Sequence, residues 1–552
     1  METANASDRQ AVLERLVADL VAELEPLQRQ YNEAIWLASV TGDSRHEQEG
    51  ARLDARIRTM FARPEPYATL CALRDAGGVL DPHLQRQLVL LINAYRAHQI
   101  PPAMIERMVS IEKALESRFN NFRAELRGRP VTDNEIRQVL RDSNDTPERR
   151  AAWEASKQIG AEVVAELLDL VRLRNEAARS LGFTNYYSMI LELDELHEAE
   201  LFALLDDLDT GTRPLFETYK GDLDGRLAAR FGMAPAALRP WHYGDPFFQE
   251  APAAEVELDG YFRDLSLERL TERFFGAIGF DIRDLLTRAD LYEKPGKSQH
   301  AFCMSMDRRA DIRVLCNIQP TEYWMGTMLH EYGHAVYDQQ IDGSLPYLLR
   351  VPSHILTTEA SAMLFGRLSK NAAWLTAYAG VPEAEALAKA EALDRVGRFQ
   401  LLVQTRWELV MCHMERSLYR DPDQDLDALW WTLVERFQGV HRPEDRRAPD
   451  WASKIHFSVA PVYYHNYMLG EMMASQLQRH LVMNVLGDGP DVWRRFVSSA
   501  DVGAFLTRRL YRSGKSIDWR ESMRESTGQS LNVAAFVEEL AGSGRHPSPV
   551  RS

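Results

Sequence analysis

His330, Glu331 and His334 lie in the pentapeptide His-Glu-Tyr-Gly-His, and a further glutamate, Glu359, follows 25 residues after His334. Two histidines four positions apart on a helix project from one face, so their imidazoles can grip a single metal ion. Glu331, between them, can reach a water beside that ion and accept its proton. A third protein ligand leaves one tetrahedral position open, which is the pattern of a catalytic rather than a structural zinc. Glu359 is the candidate. It stands among Ala360, Ala362, Met363, Leu364 and Phe365, and a carboxylate in apolar surroundings needs a partner such as Zn2+. The expected chemistry is hydrolysis with one Zn2+ per chain, most directly of peptide bonds. A pair of surface histidines on an amphipathic helix is the alternative that the surrounding sequence argues against.

Those side chains need a helix to carry them. Thr321 is a candidate N-cap with Glu322 in the first turn, and no proline interrupts the stretch from there to His334. Gly333 inside this pattern costs about 1 kcal/mol relative to alanine, which points to close approach of another backbone or of a substrate. The segment Ile341-Asp342-Gly343-Ser344-Leu345-Pro346 reads as a loop, so a second helix bearing Glu359 can fold back on the first. Upstream, Ala301–Met306 and Ile312–Ile318 alternate around Asp307–Asp311 and predict a β-hairpin.

Elsewhere helical periodicity dominates, and the predicted fold is mainly α. Leu13, Leu16, Val17, Leu20 and Leu24 form one stripe, expected to end at Pro26. Similar patterns cover 85–120, 160–182, 199–220, 383–420 and 425–440. At 552 residues the chain exceeds a single core, and the Pro- and aromatic-rich stretch from Arg239 to Pro252 is the natural internal boundary. The expected organisation is an N-terminal helical lobe over 1–250, a catalytic zinc lobe over 251–541 interleaved with it, and a disordered tail over 542–552.

The balance of 65 basic against 81 acidic residues gives a net charge of −16, which disfavours nucleic-acid and anionic-membrane partners. Four cysteines, none in a Cys-x-x-Cys pair, suit a reducing compartment. The first ten residues have neither a basic nor an apolar signal region, and the densest apolar patch, Leu88–Ile92, is too short to span a bilayer. A soluble, cytoplasmic protein is expected, with no nucleic-acid or membrane partner.

The arrangement of His-Glu-x-x-His and a distant Glu resembles the zinc peptidases of the angiotensin-converting-enzyme family and, more loosely, the thimet oligopeptidase and oligoendopeptidase group. Tyr31–Trp36 looks like the N-terminal lid helix of such enzymes, and Arg174–Phe183 with Tyr186 and Tyr187 like the helix-turn before their cleft. The resemblance implies a two-lobed helical molecule with a deep channel and zinc on its floor. His300-Ala301 matches a His-Ala pair opening a strand whose backbone binds an extended peptide.

Lys454-Ile455-His456 with Tyr464 and Tyr467 matches the family's Lys-x-His and Tyr-x-x-Tyr segments after a one-residue insertion. By this resemblance His456 and Tyr467 hold the oxyanion. Lys454 and Tyr464, or Tyr463 in its place, hold the substrate's terminal carboxylate. The family also has an aspartate four residues after the third ligand, as partner of a ligand histidine. Here that position is Met363, so Asp338 or a backbone carbonyl is expected to serve. The implied activity is removal of C-terminal dipeptides from short peptides. Internal cleavage, or hydrolysis of one small amide-containing metabolite, are the alternatives.

Overall fold

The computed structural model describes residues 6–251 and 257–542, so the expected tail beyond 542 lies outside the described residues. The fold is mainly α, with two small two-stranded antiparallel sheets. One hairpin, Ala124–Leu126 with Arg129–Val131, escaped the sequence reading because three-residue strands are too short to show alternation. The other is the expected one. Phe302–Ser305 pairs with Ile312–Leu315, with Phe302 opposite Leu315 and Ser305 opposite Ile312.

The N-terminal helix runs from Ala6 to Thr41, straight through Pro26, where the sequence predicted its end. Proline removes one backbone donor, but leucines on both sides of it, Leu24 and Leu27, are buried. Tertiary packing therefore carries the helix across the break. Its first half joins Ser44–Phe61, Pro64–Ala76 and Pro82–Arg96 around a core of Leu13, Leu20, Met60, Leu73, Leu91 and Tyr95, closed by Tyr347. Its second half lies over the main hairpin. Asn32 Nδ2 donates to the carbonyls of Ser305 and Met306 at 3.1 and 3.2 Å, and Trp36 meets Phe302 edge-on.

A second, continuous core extends from Leu115 to Leu540. At its centre three helices cross: Glu322–Gln340, Ile355–Gly366 and His465–His480. Glycines let their backbones meet. A Cβ on Gly333 would stand 2.7 Å from the Ala362 Cα, one on Gly366 3.2 Å from the His330 Cβ, and one on Gly470 2.9 Å from the Glu359 Cβ. The helix cost of Gly333 thus brings the two histidines and Glu359 within reach of each other. No helix among the described residues is long and apolar enough to cross a membrane. All four cysteines are free thiols.

Candidate active site

Thr321 caps the first central helix, its hydroxyl accepting the Trp324 N–H, and the helix then presents His330 and His334 on one face. His354 caps the second, its Nδ1 accepting the Leu356 N–H, while its Nε2 is anchored 3.1 Å from an Asp194 carboxylate oxygen. That helix brings Glu359 under the histidines. The carboxylate lies 3.9 Å from His330 Nε2 and 4.0 Å from His334 Nε2, and one ligand atom from each residue falls within 4.8 Å of the others. His330 keeps 31% of its side chain exposed and Glu359 12%, so this face is open to solvent.

These residues fit a divalent ion in donor type and in charge. Burial pushes the His330 imidazole down to about 4 and that of His334 well below its ordinary value, so both are neutral, as ligands must be. Burial, with the Glu471 carboxylate nearby, pushes Glu359 up to about 7. Glu331, 7% exposed, is pushed up to about 8, by burial first and then by the Glu359 charge. Two carboxylates buried side by side repel each other, and a cation between them and the imidazoles relieves that repulsion.

His334 Nδ1 lies 2.7 Å from the Thr358 hydroxyl, which fixes the ring with Nε2 facing Glu359. Neither expected partner fills this role. The Asp338 carboxyl is pushed up to about 7 by burial, against the pull of the Arg308 cation. Met363 packs against Gly470. Nothing in the sequence pattern distinguished Thr358 from its neighbour Thr357, which bonds the Tyr337 hydroxyl instead.

The hairpin forms one wall. The Cys303 N–H donates to the Glu331 carboxylate. In an antiparallel ladder main-chain groups alternate between the paired edge and the free one, so those of Ala301, Cys303 and Ser305 share the edge facing Glu331. Ala301 is thus on that edge, one residue before the strand, while the His300 side chain is exposed and its N–H is bound by the Ser298 hydroxyl.

His456 and the tyrosines belong to a later stretch of the chain and pack on one another. Arg174, fully buried, donates to the carbonyls of Phe457 and Ser458 and to Glu112, and so clamps the chain just after His456. The chain then turns at Val462, a β-branched residue held at φ 58° with its N–H donated to Glu415 at 2.8 Å. Beyond the turn, burial and the Glu359 charge push both the Tyr463 and Tyr467 hydroxyls up, and their rings are 5.2 Å apart. Tyr463 and Tyr467 are therefore the phenols that feel the Glu359 charge. The His456 ring is 4.8 Å from that of Tyr464, which in turn lies 5.7 Å from Tyr467.

Tyr464 is tied to Trp407, the ring that Lys454 also covers. Its hydroxyl accepts from Trp407 Nε1 at 3.4 Å, and Lys454 Nζ sits over the same Trp407 ring at 4.8 Å and over Phe247 at 4.9 Å. Burial pushes the Lys454 ammonium down to about 8, and its hydrogen bond is to a neutral group, Gln249 Oε1, at 2.9 Å. An ammonium held by two aromatic faces and an amide is poised for an anion. Sequence reasoning missed Gln249 and Trp407, since residues that meet only in the fold leave no spacing to read.

The sequence model of the angiotensin-converting enzyme family matches residues 7–238 and 256–539. Carboxypeptidase 1 of Bacillus subtilis (strain 168) is 24% identical over 276 residues, which cover 44% of this chain and 52% of the relative. The angiotensin-converting enzyme-like protein Ace3 of Mus musculus is 23% identical over 452 residues, 73% of this chain and 58% of the relative. The chain thus spans a little over half the length of these curated relatives. With the family's match running through the hairpin, the three central helices and the stretch from Lys454 to Tyr467, the protein belongs to the angiotensin-converting enzyme family of peptidases.

Proposed function

We propose that the chain is a zinc-dependent peptidase that releases dipeptides from the carboxyl end of short peptides. The observation that carries this reading is the convergence of His330, His334 and Glu359 with a buried Glu331 beside them. Held by those three side chains, Zn2+ would polarise the scissile carbonyl and acidify the attacking water.

The protein's own groups do the rest. The Cys303 N–H restrains the Glu331 carboxylate, which accepts the water's proton and passes it to the departing amine. Tyr467, which feels the Glu359 charge, and His456, a neutral imidazole with its pKa pushed down to about 4 by burial, donate to the oxyanion. Donors of this kind account for about 10²–10³-fold in rate each. The free edge at Ala301 offers main-chain groups to an extended peptide of any sequence. Lys454, with Gln249 and Tyr464, takes the terminal carboxylate, which sets the cut near the carboxyl end. The name carboxypeptidase borne by the Bacillus subtilis relative supports action at that end. The acidic charge balance and the unpaired thiols support a cytoplasmic setting.

The test is metal analysis of the purified protein, followed by mass spectrometry of products from a mixed library of six- to twelve-residue peptides. One zinc per chain and successive loss of C-terminal dipeptides are expected. Internal cuts would place the enzyme among oligoendopeptidases. A folded, zinc-loaded protein that cleaves nothing would overturn the reading in favour of a dedicated small amide substrate.

A further inference from the structure

The Thr358–His334 contact sits where helix crossing leaves little freedom. Gly333, next to His334, lies against Ala362, and Ser361 Oγ donates to the Gly333 carbonyl at 3.0 Å. The two helices are therefore locked at the turn that carries both His334 and Thr358. Within that lock the Thr358 hydroxyl is 2.7 Å from Nδ1. When Nε2 binds an ion, Nδ1 carries the proton, so the imidazole donates and the hydroxyl accepts. Thr358 is also the residue before Glu359, so a single helical turn supplies one metal ligand and the hydrogen-bond partner of another.

We propose that Thr358 is the positioning residue of His334, a neutral hydroxyl in the role expected of the Asp338 carboxylate. This rests on the zinc reading above. The two partners orient the ring equally, but they differ in electronic effect. A carboxylate accepting the Nδ1 proton makes the imidazole a stronger base toward the ion, whereas a hydroxyl fixes its direction and adds little basicity. Orientation of His334 therefore comes from helix packing and one hydroxyl, with little added basicity.

The test measures zinc affinity by chelator competition, with the visible spectrum of the Co2+-loaded protein as a second readout. T358V keeps the shape and removes the hydroxyl. It should weaken zinc binding about 10–100-fold, as loss of such a partner does in other metal sites. It should also alter the Co2+ spectrum while leaving the metal-free melting temperature unchanged. T358S restores the hydroxyl and should bind within about threefold of wild type, and it serves as the informative variant if T358V misfolds. T358V binding zinc like wild type, or T358S losing affinity as T358V is expected to, would overturn the role of Thr358. A wild-type protein that binds no zinc would instead overturn the reading on which it rests.

Discussion

Around His330, His334 and Glu359 three helices meet closely, with Gly333, Gly366 and Gly470 at the crossings and the candidate ligands facing one another. Around Lys454 the construction is reversed. Side chains from distant stretches of the chain, Phe247, Gln249 and Trp407, contact one ammonium, and its hydrogen-bond partner is neutral. The first region tolerates small shifts poorly, because a ligand displaced by a fraction of an ångström no longer shares the ion. The second leaves a charge under-compensated in the free protein, a local cost that a bound carboxylate offsets. On the proposed reading, geometry governs the reacting end, and electrostatic demand governs the end that would sort substrates.

This contrast can be broken or sharpened by substitution. The largest effect is expected for E331Q, which keeps the side chain's shape and the Cys303 contact but removes the base. kcat should fall about 10²–10⁴-fold with zinc content unchanged. Loss of zinc along with activity would instead make Glu331 part of the metal grip. Next, K454M should raise KM for free-acid peptides about 10–100-fold, as loss of a charged hydrogen bond does. KM for the same peptides amidated should stay as it was. Because Lys454 is pushed down to about 8 by burial, wild-type preference for the free acid should fade as pH rises through that value. Equal effects on acid and amide would remove the lysine from substrate binding. Its removal should also leave the melting temperature level or higher, in contrast to any change at the metal end.

G333A probes that other end. The added Cβ meets backbone atoms that cannot move aside, so a loss of about 1–3 kcal/mol is expected, read by denaturant melts. A variant as stable as wild type would show that the helices are free to separate. The smallest effect concerns the protein stripped of metal. Glu331 and Glu359 are pushed up to about 8 and about 7 from an ordinary 4.5, so the folded state holds their protons longer than the unfolded chain does. That contribution is complete below the ordinary carboxylate range and is lost as pH rises through 7 to 8. Chelated protein should therefore melt roughly a few degrees lower at pH 9 than at pH 6. Zinc should remove most of that slope, and a slope unchanged by zinc would separate the carboxylates from the metal.

The two regions also differ in how far the sequence discloses them. Spacing of four between histidines, a capped helix start at Thr321 and alternation in the hairpin segments are local signals, and the helix, its cap and a shorter hairpin all appear in the structure. The partner of His334 was not legible. Thr357 and Thr358 are adjacent and chemically alike, and only the angle at which two helices cross decides which hydroxyl faces the imidazole. Gln249 and Trp407 were invisible for the same reason, since burial beside Lys454 is a property of the fold. Pro26 misled in the opposite direction, a strong local signal overridden by leucines buried on both sides of it.

The central claim is that the metal end and the lysine end act on one substrate. The most direct test is the cleavage position in a single ten-residue peptide, supplied as free acid and as amide, read by mass spectrometry over a time course. The account predicts that wild type first cuts two residues from the carboxyl terminus of the free acid. The amide should be cut far more slowly, and K454M should abolish that difference. Cleavage of both forms at the same internal bond and at the same rate would contradict it.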